Sequence, residues 1–142
     1  MAIKAPFKID AGGREAQAHK RALRRQLLRQ RQVMDLDLQS TTQWKVINHL
    51  RSLHSSMAPA VVAVYAPVHD EIDLMPWVRE LWRMGESVVL PRVVERGHPL
   101  VFNLWLPDAP MDTDRLGLPC ASGPELMPAL VVIPSLGYNR KG

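Results

Sequence analysis

The sequence has a single cysteine, Cys120, and that scarcity excludes an internal disulfide and any multi-cysteine metal site. A reducing, cytoplasmic setting suits such a chain. No apolar run approaches the length of a membrane span. Residues 1–13 hold Lys4 and Lys8 but no continuous apolar stretch, so they are expected to be a short flexible leader and not a secretory signal. Internal repeats and low-complexity segments are also missing. Charged residues reach only 23% against 46% hydrophobic, which excludes disorder over the whole length. Neither G-x-x-x-x-G-K-S/T nor G-x-G-x-x-G occurs, so the two common glycine-rich phosphate motifs are ruled out. His69 has no second histidine near it to form a metal pair, and it is expected to be exposed or structural.

What is present points to one α/β domain over residues 14–142 of the 142. The net charge is +4, and the excess is uneven: Lys20, Arg21, Arg24, Arg25, Arg29 and Arg31 come with no acid between them. From Arg14 to Met34 the composition is helix-forming. At 100° per residue Leu23, Leu27 and Met34 fall on one stripe, with Lys20, Arg24 and Arg31 along its edge and Arg25 and Arg29 turned to solvent. A second helix is expected over residues 41–53, capped by Asp37 or Ser40, with Trp44, Ile47 and Leu50 or His54 facing inward. Residues 60–65 form a β-branched run bounded by Pro59 and Pro67, the pattern of a parallel strand buried on both faces. Asp73 is expected to cap a third helix that tolerates Pro76 in its first turn and ends at Gly85. Strands follow at residues 87–90, 100–106 and 130–133. The stretch 107–128 between the last two is expected to be irregular, with one helical turn at 124–127. Helices alternating with short apolar strands predict a layered α/β domain with a largely parallel sheet. Ligands of such sheets bind beyond the carboxyl ends of the strands.

Four segments could carry chemistry. Lys20 and Arg24, one helical turn apart, suit a polyphosphate, although a solvated basic face has the same composition. No aromatic is interleaved among these cations, which argues against a stacking platform for single-stranded nucleic acid. Glu71 stands in the loop after the 60–65 run, where it could accept hydrogen bonds from an amine-rich ring; Asp70 and Asp73 could instead serve the start of the next helix. Arg92 follows a strand directly, free to hold an anion or to pair with a surface acid. After the last strand come Ser135, Leu136, Gly137, Tyr138, Asn139, Arg140, Lys141 and Gly142, whose glycines and cations suit close approach to phosphates or simply a tight turn. Trp77, Trp82 and Trp105 are expected in the core or a pocket wall.

Taken in order, a K-R-x-L-R helix, an apolar strand running into D-E-I, a strand ending in L-P-R, an F-x-x-W strand, a Gly-x-Pro segment and a strand ending in I-P-S-L-G-Y resemble the 5-formyltetrahydrofolate cyclo-ligase family from Lys20 onward. The resemblance implies an enzyme that converts 5-formyltetrahydrofolate to 5,10-methenyltetrahydrofolate with ATP and Mg2+. By it, Lys20, Arg21, Arg24, Arg92 and Ser135, Leu136, Gly137, Tyr138, Asn139, Arg140, Lys141 and Gly142 would contact ATP. Ala66, Glu71, Tyr138 and Gly142 would contact the folate. Members of the family continue past the equivalent of Gly142 into an R-L-G-x-G-x-G-x-Y-D segment that supplies a phosphate cradle and an aspartate for magnesium. This sequence ends first, and has Asn139 and Ser135 where Asp and Gly are usual. The expectation is therefore a cyclo-ligase domain without its last strand and helix, with no metal ligand of its own and weak or no turnover. A monomer is expected, with a small-molecule folate partner and no membrane. Two rival readings stay open, a nucleic-acid-binding module built on the helix of residues 14–34 and a non-catalytic α/β interaction subunit.

Overall fold

The computed structural model describes residues 11–138, with side chains from 13 onward. Residues 1–10, which hold most of the expected leader, lie outside the described residues, as do Asn139, Arg140, Lys141 and Gly142. The chain divides into two compact units. One joins the chain up to Met34 with the stretch from Ser135; the other is Asp35–Pro134.

In the first unit α1 spans Ala11–Gln32. It starts ahead of the expected Arg14, so Gly12 and Gly13 lie in its first turn. Each such glycine costs up to about 1 kcal/mol, which the long Ala-, Gln- and Arg-rich stretch offsets. The helix stops at Gln32, two residues short of the expected end, and Val33 and Met34 follow in a turn. Leu23 stays 44% exposed and Met34 38%. The expected stripe is thus only partly covered; Leu27 and Leu28 are the half-buried leucines.

The second unit begins with α2 (Leu36–Met57), capped by Asp35, whose side chain accepts from the Asp37 N–H at 3.4 Å. The expected caps Asp37 and Ser40 both lie inside the helix. The reason is visible at Leu36 and Leu38, 78% and 55% exposed: the first turn faces solvent and carries no inward periodicity. Ile47 and His54 are buried and Leu50 half-buried, but Trp44 points outward, 49% exposed. It lies under the Arg51 guanidinium, 5.5 Å from the ring centroid. Arg51 also bonds Glu80 through Nε at 2.8 Å and Nη2 at 2.5 Å, so a surface ion pair ties α2 to the next helix.

That helix, α3 (Met75–Arg83), has Leu74 as its N-cap, one residue after the expected Asp73. Asp73 still serves it, since its Oδ1 accepts from the Met75 N–H at 2.8 Å. Its end shows why Gly85 is glycine. With φ at +80°, the Gly85 N–H reaches the Trp82 carbonyl at 3.0 Å and the Glu86 N–H reaches that of Leu81 at 2.9 Å. This paired closure satisfies two orphan carbonyls and requires a left-handed residue.

Strands β1 (Val61–Ala63), β2 (Ser87–Arg92), β3 (Val101–Leu104) and β6 (Leu130–Val131) form one sheet in the order β3-β2-β1-β6. β1 pairs parallel with both β2 and β6, whereas β3 runs antiparallel to β2. β2 extends past the expected Leu90 through Pro91 and Arg92. Pro91 is tolerated because it lies two residues beyond Val89, the last partner of β1, on the side that faces β1. Val62, Val64, Val88 and Leu90 cluster with Ile47, Leu74, Trp77 and Leu81. Ala63 and Val89, alternating to the other face, are buried as well. Burial on both faces is why these strands are continuous apolar runs.

The stretch expected to be irregular holds a small hairpin, β4 (Asp112–Thr113) with β5 (Pro119–Cys120). Residues 124–127 are extended, not helical. Pro124 and Leu126 bond Leu104 and Phe102 along the free edge of β3, and Glu125 bridges Asn103. Pro124 has no N–H to donate, and its carbonyl accepts from Leu104 at 2.8 Å, which edge pairing permits.

Candidate functional site

β1 delivers the chain to a loop that the sequence itself constrains. The Tyr65 hydroxyl donates to the Ile72 carbonyl at 2.9 Å, closing the loop across its base. Within it His69 and Asp70 adopt φ of 50° and 58°. Such left-handed non-glycine residues cost on the order of 1 kcal/mol or more each and persist where surrounding bonds fix them. Those bonds converge on Glu71. Its N–H donates to the Val68 carbonyl at 3.2 Å, and its Oε2 accepts from the Val68 N–H at 3.0 Å. The other carboxylate oxygen, Oε1, has no partner among the described residues. Ala66 and Glu71 therefore share one braced loop at the carboxyl end of β1, with a half-buried carboxylate offering an open acceptor. His69 and Asp70 are exposed, and of the acids here it is Asp73 that serves α3.

In the other unit, α1 and the stretch from Ser135 come together. The Arg31 guanidinium donates to the Ser135 carbonyl at 3.0 Å, and the Ser135 hydroxyl donates to the Gly137 carbonyl at 3.0 Å. A Cβ on Gly137 would lie 3.1 Å from Leu27 Cδ1, so the turn approaches the helix closely at its glycine. At 100° per residue Lys20, Arg24, Leu27 and Arg31 lie within about 60° of one another. The two residues that touch the turn are on the same helix face as the two cations. Arg21 stands off that face by about a quarter turn, and Arg25 and Arg29 are opposite. Lys20, Arg21 and Arg24 are exposed and have no hydrogen bond or ion pair among the described residues. Tyr138, 91% exposed, follows the turn. The remaining expected contacts, Asn139, Arg140, Lys141 and Gly142, lie outside the described residues.

In the second unit Arg92 is on the wall of a cavity of about 430 Å³ beyond the carboxyl end of β2. Arg92 and Asn103 share one wall because the antiparallel pairs Arg92↔Val101 and Leu90↔Asn103 put them on one sheet face. Asp114, Arg115 and Glu125 close the other sides. Asp114 is a structural clasp. Its Oδ2 accepts from the Val93 N–H at 3.0 Å, and its Oδ1 accepts from Leu116 at 2.8 Å and Leu118 at 3.0 Å. Burial pushes its carboxyl up, but the N–H groups of Leu118, Val93 and Leu116 and the Arg92 charge outweigh that and hold it below its ordinary value. A carboxyl lowered on folding contributes stability above its unfolded pKa of about 4 and loses it as pH falls through the folded value. Asp114→Asn is therefore expected to cost about 1–2 kcal/mol at pH 7, with the gap to the parent closing in acid; urea unfolding at pH 7 and pH 3 measures it. Cys120, on the same hairpin, is fully buried, and burial pushes its thiol up.

Among the described residues no group of three or more His, Cys, Asp or Glu gathers to hold a metal ion. Among the described residues no helix is long and apolar enough to cross a membrane. Sequence reasoning missed Asn103, Arg115 and Glu125. The signal available was Asp114-Arg115-Leu116-Gly117, with Asp opening a turn and Gly at its fourth position.

The architecture has counterparts among solved structures. The NMR structure of Aquifex aeolicus 5,10-methenyltetrahydrofolate synthetase superposes with a TM-score of 0.66 at 22% identity, covering 85% of this chain and 68% of that one. A 5,10-methenyltetrahydrofolate synthetase from Mycoplasma pneumoniae gives 0.52 at 24% identity, covering 61% of this chain and 53% of that one. At those identities the likeness is one of fold. A search among curated proteins finds no match. A family model, however, matches residues 16–142, taking in most of α1, the Glu71 loop, β2 and the turn after β6. The order of motifs, the mixed sheet and that match agree: this chain belongs to the 5-formyltetrahydrofolate cyclo-ligase family, a family of ligases.

Proposed function

We propose that the chain binds ATP and 5-formyltetrahydrofolate and serves the ATP-driven closure of the latter to 5,10-methenyltetrahydrofolate. The observation that carries the ATP half is the shared helix face: Lys20 and Arg24 lie with Leu27 and Arg31, which touch the Ser135–Gly137 turn. Free cations beside a close-packed glycine turn suit a polyphosphate, with Lys as a point charge and Arg as a planar fork. Arg21, off that face, adds charge from the flank. Magnesium would arrive on the phosphates, since that ion is commonly held by few protein ligands. Tyr138 would lie against either ligand at the end of the turn.

The folate half rests on Glu71. One oxygen is spent on Val68, so the loop fixes the carboxylate and leaves the second oxygen to accept from the amine-bearing ring. In the reaction the formyl oxygen takes the γ-phosphoryl group of ATP and releases ADP; the neighbouring nitrogen then attacks the formyl carbon and gives up its proton, and the carbon–oxygen bond breaks as inorganic phosphate leaves. The protein's part is to position the groups and neutralise phosphate charge. Lys20 and Arg24 neutralise, Glu71 orients the ring, and Ala66, having no bulky side chain, leaves room beside it.

Titration calorimetry with Mg-ATP and with 5-formyltetrahydrofolate tests the proposal. Each is expected to bind and to raise the melting temperature. Arg24→Ala should weaken ATP about tenfold, the loss of one charged contact, while Arg25→Ala on the opposite face leaves it unchanged. Equal effects from the two would remove the assigned face. Tight binding of oligonucleotides with a steep salt dependence, in place of ATP, would make α1 a nucleic-acid arm.

A further inference from the structure

The cavity beyond β2 has a ligand chemistry of its own. Its charged wall residues are Arg92, Arg115, Asp114 and Glu125, two of each sign. They are not equally available. Both oxygens of Asp114 are occupied by backbone N–H groups, and Arg92 stands 3.9 Å from Asp112. Arg115 and Glu125 have exposed side chains with no hydrogen bond or ion pair among the described residues. Between them is Asn103, only 7% exposed. Its Nδ2 donates to the Gly123 carbonyl at 2.8 Å, which fixes the amide's orientation, and its Oδ1 is buried with no partner. Buried side-chain acceptors are nearly always satisfied. The wall thus offers one free guanidinium donor set at Arg115 and one accessible unused acceptor at Glu125, while the Asn103 Oδ1 is closed off from solvent.

A triphosphate is a poor match for a wall whose charges cancel. A carboxylate next to an amide N–H is a good one, because the carboxylate takes Arg115 in a planar fork and the N–H takes an acceptor. Place favours the same class. Ala63 pairs with Val89, so the loop that carries Ala66 and the end of β2 that carries Arg92 leave adjacent parallel strands, each three residues beyond that paired register. A molecule whose ring is held at Glu71 has this cavity one strand away.

We propose that the cavity binds the acylated amino-acid end of the folate, its glutamate, with Arg115 taking a carboxylate and Glu125 accepting the amide N–H. This rests on the folate reading of Glu71 given above. At about 430 Å³ the cavity exceeds what one glutamyl unit needs and falls in the range of small-molecule sites.

The test compares 5-formyltetrahydrofolate with 5-formyltetrahydropteroate, which keeps the rings and lacks the glutamate, by titration against the whole chain and its Arg115→Ala and Arg115→Lys variants. Arg115 is exposed, so its replacement leaves the fold intact. The folate is expected to bind the parent about tenfold more tightly than the pteroate. Arg115→Ala should erase that difference, with pteroate and ATP affinities unmoved, and Arg115→Lys should restore part of it. An unchanged folate-to-pteroate ratio in Arg115→Ala overturns the glutamate site while the Glu71 reading stands. A loss confined to ATP overturns it in favour of phosphate. If the parent binds neither folate nor pteroate, the Glu71 reading falls and the glutamate site with it.

Discussion

Gly123→Ala is expected to destabilise the protein by about 3 kcal/mol or more, at the upper end of overpacking costs. A Cβ built on Gly123 lies 2.3 Å from the Leu104 carbonyl oxygen and 3.1 Å from the carbonyl carbon. Both are backbone atoms of β3, so no side-chain rotation relieves the overlap. The neighbouring bonds resist a shift too: Leu104 N–H donates to the Pro124 carbonyl at 2.8 Å, and Asn103 Nδ2 donates to Gly123 itself. Moving the segment would break the edge pairing that continues through the Leu126 N–H to Phe102. Urea unfolding of the purified variant, compared with Gly117→Ala, measures the effect. Gly117 has open space around its Cβ position but a φ of +77°, so its variant carries only conformational strain and should lose less. Equal losses would show that the close approach at Gly123 is not what matters.

The second large effect is expected at Glu71. Glu71→Gln should weaken 5-formyltetrahydrofolate binding roughly 30- to 100-fold, about 2–3 kcal/mol, the scale of a hydrogen bond to a charged group. Glutamine has the same shape, and its carbonyl can still accept from the Val68 N–H as Oε2 does now. The position of Oε1 then holds an NH2 group, which presents donors to a ring that also presents donors. Loss of affinity with an unchanged melting temperature is the signature, because the loop survives and only the polarity of its open position reverses. A variant that binds as the parent does would remove Glu71 from the folate site.

The long, strongly patterned parts of the fold were legible in the sequence because their cause is local. The run from Val61 to Val64 is apolar at every position since both sheet faces are closed, and Gly85 marks a helix end because it takes a left-handed conformation. The start of α2 was not legible. Leu36 and Leu38 sit in its exposed first turn, so hydrophobic residues there signal nothing about the core, and Asp37 and Ser40 resemble caps from inside the helix. Trp44 misled for a similar reason: an aromatic normally counted toward the core spends its ring on the Arg51 guanidinium. The hairpin of β4 and β5 and the edge pairing of Pro124 and Leu126 rest on partners distant in sequence, with two-residue strands too short to show a period. The same division holds for the sites. Lys20, Arg24 and Glu71, the residues of the proposed ATP and folate contacts, are singled out in the sequence by spacing and by position after a strand. Arg115, Asn103 and Glu125 become neighbours only when the hairpin closes over β2 and β3.

The order in which the sheet is encoded has a consequence for how it is made. β1, α3, β2 and β3 follow one another from Val61 to Leu104, with β2 pairing back to β1 across α3 and β3 pairing with β2. β6 instead pairs with β1 across all of them. On a ribosome the three-stranded part can assemble while the side of β1 that will receive β6 still faces water, with Val62 and Ala63 awaiting Leu130 and Val131. Closing that long loop costs chain entropy that the short connections do not. The docking of β6, which carries the chain onward to Ser135, thereby follows the pairing of β1, β2 and β3, and until then β1 is an unpaired edge of the nascent sheet.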